Sequence, residues 1–238
     1  MKHIQYKTLK IMVAALTNPL FSQRMLWHIC SPSGEISLGH VNKVVMDLRS
    51  KGFVQETIGR GSSSGLLISN TVGAKVKNGT NRISHRLVDP IGLLRYIALF
   101  RTMDDLRIMS TKVEARLDVV IKGLASLDVV FCLGTAQSRY SPYFRPDEVS
   151  LYIHDRDQDR LAKTLRSAPY GNTKVACYRI ASGKGAEMWG RVGSDALFSR
   201  DKKGTRYTTK VWTVVDMFCD GKGAFTKPLL KELWGIEI

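Results

Sequence analysis

Between Ser37 and Arg49 the sequence sets Gly39, His40, Asn42 and Lys43 along one helical stretch. Side chains of these types hydrogen-bond to base edges and phosphates, and a glycine lets backbone approach DNA closely. Farther on, Arg60, Ser62 and Ser63 fall in the glycine-rich run at residues 59–65, a composition suited to phosphate or minor-groove contact. The chemistry implied by the whole set is recognition of a polyanion, with no bond made or broken. The run at 59–65 lacks the Lys-Ser/Thr pair and following helix of a nucleotide-cradling loop.

Those residues need a scaffold, and the flanking pattern supplies one. Leu9, Met12, Val13 and Leu16 recur at helical spacing and predict a first helix over residues 6–17, ended by Asn18-Pro19. Ser22 is placed to cap a second helix with Met25, Leu26 and Ile29 inward. Ser37 caps a third, whose buried side is Leu38, Val41, Val44, Val45 and Leu48 and whose end is marked by Gly52. Seven residues link Cys30 to Leu38, longer than the tightest helix-turn-helix. A strand over 53–58, a tip at 59–65 and a return strand over 66–69 complete a wing. The expectation is a winged helix-turn-helix DNA-binding domain over residues 1–88 whose third helix enters the major groove.

The rest reads as a mixed α/β domain over residues 89–238, giving an α+β chain overall. Residues 70–90 are polar and basic and suggest an irregular connection. Asp89-Pro90 opens a helix reaching about residue 100, and a second helix covers 117–125. Strands are expected at 128–133, 149–153, 174–180 and 207–215, with helices at 158–167 and 227–234.

Composition points the same way. Lys and Arg number 36 against 21 Asp and Glu, a formal net charge of +15. Residues 1–110 hold 15 basic and 6 acidic residues, net +9, and residues 111–238 hold 21 and 15, net +6. The shorter N-terminal half is the more basic, which places the polyanion contact there. Cys30, Cys132, Cys177 and Cys219 sit among apolar residues without metal-ligand spacing and read as reduced core thiols of a cytoplasmic protein. The N-terminal residues lack the apolar stretch of a signal peptide, and no run reaches membrane-spanning length.

The order of elements carries a family resemblance. A winged helix is followed by a helix opening on Asp89-Pro90 and carrying Leu93-Leu94. Then come Leu133-Gly-Thr-Ala-Gln137, the run Phe144-Arg-Pro-Asp-Glu-Val-Ser-Leu-Tyr-Ile-His-Asp155, and Val214-Val-Asp216 before a closing helix. Over most of residues 22–234 this resembles the antitoxin component of AbiE-type (type IV) toxin–antitoxin systems. The resemblance implies an N-terminal domain that binds operator DNA and represses its own operon. It also implies a C-terminal domain needed to neutralise a nucleotidyltransferase-like toxin, and a DNA-facing helix at residues 37–51. Where the family often has an Arg-Gly-x-Glu-like stretch, this chain has Asp220-Gly-Lys-Gly-Ala-Phe225.

The competing reading is a nucleic-acid-modifying enzyme of nucleotidyltransferase type that uses the winged helix to dock its substrate. Leu133-Gly134-Thr135 is similar to the strand-to-helix turn of that superfamily, which makes a degenerate fold of that kind a second possibility for the C-terminal domain. Its chemistry needs alternating carboxylates on the next strand to hold metal ions. Within residues 149–153 none is acidic, while Asp155, Asp157 and Asp159 come after the strand and suit helix capping. The five histidines (His3, His28, His40, His85, His154) are scattered, and no Gly-x-Ser-x-Gly elbow occurs. Gly183-Lys-Gly185 reads as a turn. The sequence therefore predicts no catalysis, no cofactor and no metal. It predicts a transcriptional regulator acting on double-stranded operator DNA as a homodimer or as paired monomers, with a nucleotidyltransferase-like toxin as a further partner and no membrane.

Overall fold

In the computed structural model, α1 (Tyr6–Thr17) follows the predicted bounds, but it is apolar on more than one side. Every residue from Leu9 to Leu16 is buried, including Lys10. The helix packs on α2 (Gln23–Cys30), α3 (Leu38–Ser50) and the late helix α9 (Lys210–Cys219), so partners surround it. The structure describes residues 4–32, 34–59, 82–113, 116–124, 127, 129–154, 157–166, 173–180, 198–202 and 204–237. Among these it is a mixed α+β protein with ten helices and two sheets.

The first sheet has three strands in the order β1 (Leu20–Phe21), β3 (Arg82–Leu87), β2 (Val54–Gly59), all antiparallel. The register runs from Val54↔Leu87 to Gly59↔Arg82. This corrects the expectation for residues 70–90, since 82–87 is a strand and pairs along the whole of β2. The expected return strand at 66–69 lies outside the described residues. The long link before α3 is tied down rather than loose. The Trp27 indole donates to Ile36 O at 2.8 Å, and Ile36 N donates to Ser31 Oγ at 2.8 Å, which seats Ile36 in the core.

The chain continues through α4 (Pro90–Phe100), α5 (Met103–Leu106), β4 (Arg107–Val113), α6 (Leu117–Leu124), β5 (Val130–Phe131), α7 (Leu133–Tyr140), β6 (Glu148–Tyr152), α8 (Gln158–Arg166), β7 (Thr173–Tyr178), β8 (Phe198–Arg200) and β9 (Arg206–Thr208). After α9, a 3-10 turn over Gly223–Thr226 leads into α10 (Lys227–Trp234). The second sheet has the order β4-β7-β6-β5-β9-β8, with β6–β7 and β5–β9 parallel and the other neighbours antiparallel.

Both faces of this sheet are covered. Phe131, Leu151 and Cys177 join Leu124 and Leu161 in one core, on the side of α6 and α8. Val130, Tyr152, Ala176 and Tyr178 face the other way, into a larger core with α1, α3, α4 and α9. The period-two alternation thus splits one strand between two cores, which is why β6 reads as nearly continuous burial. The larger core draws on residues from both sides of position 88, and the Trp234 indole closes it by donating to Leu16 O at 3.0 Å.

Three expected elements change. The strand at 207–215 is β9 for only three residues, after which Thr209 caps α9. The strand at 128–133 is β5 over Val130–Phe131, and Leu133 already opens α7 with φ 47°. The strand at 149–153 begins one residue earlier, at Glu148.

Candidate nucleic-acid interface

Two sides of α3 divide cleanly. Val41, Val44, Val45 and Leu48 are buried. A fully buried side chain of this kind stabilises by about 1.5–3 kcal/mol, so the inner side alone accounts for docking of the helix. Gly39, Lys43, Met46 and Ser50, spaced four, three and four apart, form an exposed stripe on the other side. Ser37 is exposed and caps the helix, its Oγ accepting from His40 N at 3.2 Å. At the far end Gly52, at φ 78°, takes the left-handed turn that lets Phe53 N reach back to Leu48 O at 3.0 Å.

The predicted contact residues fall into different settings. Lys43 is exposed and has no ion pair among the described residues. Gly39 is exposed, and nothing but the Ser37 hydroxyl lies near where a side chain would project. His40 is half-buried and reaches back to α1, its Nε2 lying 3.2 Å from Thr8 Oγ1. Burial, then the Lys7 and Lys43 ammoniums, hold this imidazole below its usual range. Asn42 is half-buried, and its Oδ1 is buried without a partner among the described residues. Arg49 is exposed but ion-paired with Glu56 of β2, and Lys51 is paired with Asp47. Arg60, Ser62 and Ser63 lie outside the described residues.

The structure therefore brings Ser37, Gly39 and Lys43 together at an open surface, with Met46 as their apolar neighbour. It turns His40 toward α1 and engages Arg49. Lys7 of α1 adds to the positive field over His40 and was not anticipated. Its signal was present in the sequence, because Lys7-Thr8 precedes the apolar stripe that begins at Leu9.

For the competing chemistry, β6 places Glu148 in alternation with Ser150 and Tyr152. Starting the strand at 149 hid this carboxylate. It is one acid at the position where two are required, and Lys174 Nζ pairs with its Oε2 at 2.9 Å. Burial pushes the Glu148 carboxyl up, but Lys174 and the Ser150 hydroxyl outweigh it and leave it below the usual range. Among the described residues no three His, Cys, Asp or Glu side chains gather as a metal site. The four cysteines are buried and free, and no helix is long and apolar enough to cross a membrane among the described residues. Comparison with family models, with curated proteins and with solved structures finds no match for this chain.

Proposed function

We propose that the chain is a DNA-binding transcriptional regulator of winged helix-turn-helix type, with α3 as the helix that enters the major groove. The observation that carries this reading is the open side of α3. Its exposed stripe holds Lys43, the cation of this helix without an acidic partner among the described residues, beside a glycine and an exposed methionine. Lys43 suits a phosphate or a guanine edge, Gly39 allows close backbone approach, and the Met46 side chain suits a thymine methyl. The element order α1-β1-α2-α3-β2-β3 and the three-stranded sheet support the winged assignment for residues 1–88. The connection at residues 60–81 carries Arg60, Lys75 and Lys77 with no acidic residue, a composition suited to phosphate contact along with Ser62 and Ser63.

Residues 89–238 are the regulatory part on this reading. The resemblance to AbiE-type antitoxins extends the proposal to an autorepressor that neutralises a nucleotidyltransferase-like toxin. One helix reads a short site, so operator selection requires a homodimer or paired monomers on repeated half-sites. On this reading the chain acts without catalysis, and Glu148 serves as the ion-pair partner of Lys174.

Fluorescence anisotropy with duplex DNA from upstream of its own gene tests the reading. Specific binding is tighter than to a scrambled duplex, and Lys43→Ala weakens it about fivefold while reducing the salt slope by about 1. Equal affinity for the two duplexes overturns the regulator reading, and an unchanged affinity in Lys43→Glu overturns the assignment of α3.

A further inference from the structure

A cavity of about 500 Å³ opens where the start of α7 meets the loop before β6. It shares no residue with α3 and stands independently of any role in DNA binding. Its size is that of pockets which take small-molecule ligands. Its lining combines cationic and aromatic groups with the carboxylates of Asp147 and Glu148, drawn from four separated segments.

Two ammonium groups enter from different elements. Lys174 comes from β7 and is held against Glu148, while Lys222 follows α9 and pairs with Asp220 Oδ2 at 2.7 Å. Arg145 adds a third, exposed cation without an ion-pair partner among the described residues. Each of the two lysines is thus held by a carboxylate at the edge of the cavity. Glu148 itself is fixed by hydroxyl donors, Ser150 Oγ at 3.3 Å and Tyr178 OH at 3.3 Å.

The other wall is aromatic. Phe144 and Phe225 meet edge-on with centroids 5.9 Å apart, yet Phe225 is 59% exposed and the neighbouring Tyr143 is 95% exposed. Aromatic surface left in water beside a cation cluster is a feature that ligand burial explains. Gly134 is part of the construction. A Cβ there would lie 3.2 Å from the Phe144 ring and 3.3 Å from Pro146, so a larger residue would push that ring back from the helix start by a few tenths of an ångström.

We propose that this cavity binds a nucleoside phosphate, with the base against Phe144 and Phe225 and the phosphates between Lys174, Lys222 and Arg145. A planar ring stacks on aromatic side chains whatever its hydrogen-bonding edge, and lysine and arginine supply charge-assisted bonds to phosphate oxygens. The proposal is for binding and needs no covalent step.

Calorimetry on the full chain with ATP, GTP, CTP and UTP, each with and without magnesium, is the test, with inorganic pyrophosphate as a further arm. Saturable binding of at least one nucleotide is expected. Lys222→Glu weakens it at least about tenfold and Phe225→Ala about fivefold. Both variants alter exposed or half-buried side chains, so their melting temperatures report whether folding is intact. Lys43→Ala leaves nucleotide binding unchanged. Absence of saturable heat with all four nucleotides overturns the proposal, and so does binding that neither cavity variant weakens. Pyrophosphate binding as tight as that of any nucleotide overturns the aromatic half and with it the ligand class.

Discussion

Lys43 on α3 and Arg101 after α4 carry the same charge in opposite surroundings. Lys43 stands in water with no acidic partner among the described residues. Arg101 is 3% exposed, and its guanidinium lies against Asp216 Oδ1 at 3.0 Å while donating to Tyr152 OH at 2.6 Å and Ile180 O at 3.1 Å. Tyr152 OH in turn donates to Asp216 Oδ1 at 2.5 Å. This node ties the end of α4, strand β6 and helix α9 together inside the larger core. Burial is the larger influence on Asp216 and pushes its carboxyl up to about 6, against the opposing pull of Arg101 and Tyr152. The contrast separates two uses of charge. An internal charge is committed to holding elements in register, because leaving it unpartnered is costly. A surface charge adds little to stability and remains available to a ligand.

Removing one side of the internal pair is the most severe way to break the comparison. Asp216→Ala leaves the Arg101 guanidinium buried with its charge uncompensated, and it costs about 3–5 kcal/mol of folding stability. Urea unfolding followed by circular dichroism measures this. The double variant Arg101→Met/Asp216→Leu recovers most of that loss, because an apolar pair of similar volume carries no desolvation cost. If Asp216→Ala shifts the midpoint no more than a surface variant does, the node is not what holds α9 to β6. Lys43→Ala is the counterpart on the exposed side: a change in DNA affinity with the melting temperature unmoved.

A third charge tests the boundary between these cases. His85 of β3 is buried beside Phe21, with ring centroids 5.7 Å apart, and burial holds its imidazole below the usual range. A histidine whose folded pKa is lowered contributes stability that is complete above the unfolded value of about 6.5 and is lost as the pH falls through it. His85 therefore lowers the melting temperature as the pH falls from 7.5 toward 5.5, whereas the Asp216 carboxyl, pushed up to about 6, raises it over the same range, so the readout is the difference: His85→Phe should lose less melting temperature on acidification than the parent chain. His40 shifts in the same direction, so the variant keeps a residual slope. An unaltered pH profile in His85→Phe assigns the whole slope to other groups.

The sequence disclosed most where local signals act alone. The caps Ser22, Ser37 and Asp89 accept from Met25 N, His40 N and Gly92 N, and Gly52 ends α3. These depend on neighbours in sequence, and the chemistry of a cap is visible there. Helix α9 was illegible for the opposite reason. Val211, Val214 and Val215 favour strands, yet the segment lies between α1, α4 and α7 and is buried on all sides, so burial overrides propensity. Strand β3 was hidden because a charged run, Arg82–Leu87, gains its order from pairing with β2 and β1. At the candidate interface the residue types were legible but their directions were not. Thr8 and Glu56, which engage His40 and Arg49, come from other elements. At the second site the turn Leu133-Gly134-Thr135 was legible, but the cavity beside it was not, since its lining spans residues 133–225 and only the topology of the second sheet assembles it.

The smallest expected effect sharpens the comparison most finely. Arg49 and Glu56 form an ion pair between α3 and β2 with side chains 46% and 25% exposed, so a double-mutant cycle on the pair gives a coupling within about 1 kcal/mol. On DNA the two cations of α3 then differ. Lys43 meets phosphate at once, whereas Arg49 must first leave Glu56, so Arg49→Ala weakens binding less than Lys43→Ala. Glu56→Gln frees Arg49 without altering its position, and it should tighten DNA binding while leaving the melting temperature almost unchanged. Anisotropy measured at two salt concentrations tells the cases apart, because an added phosphate contact steepens the salt dependence. If Glu56→Gln leaves both affinity and slope unaltered, the edge of α3 beyond Met46 lies outside the contact and the footprint is confined to its first two turns.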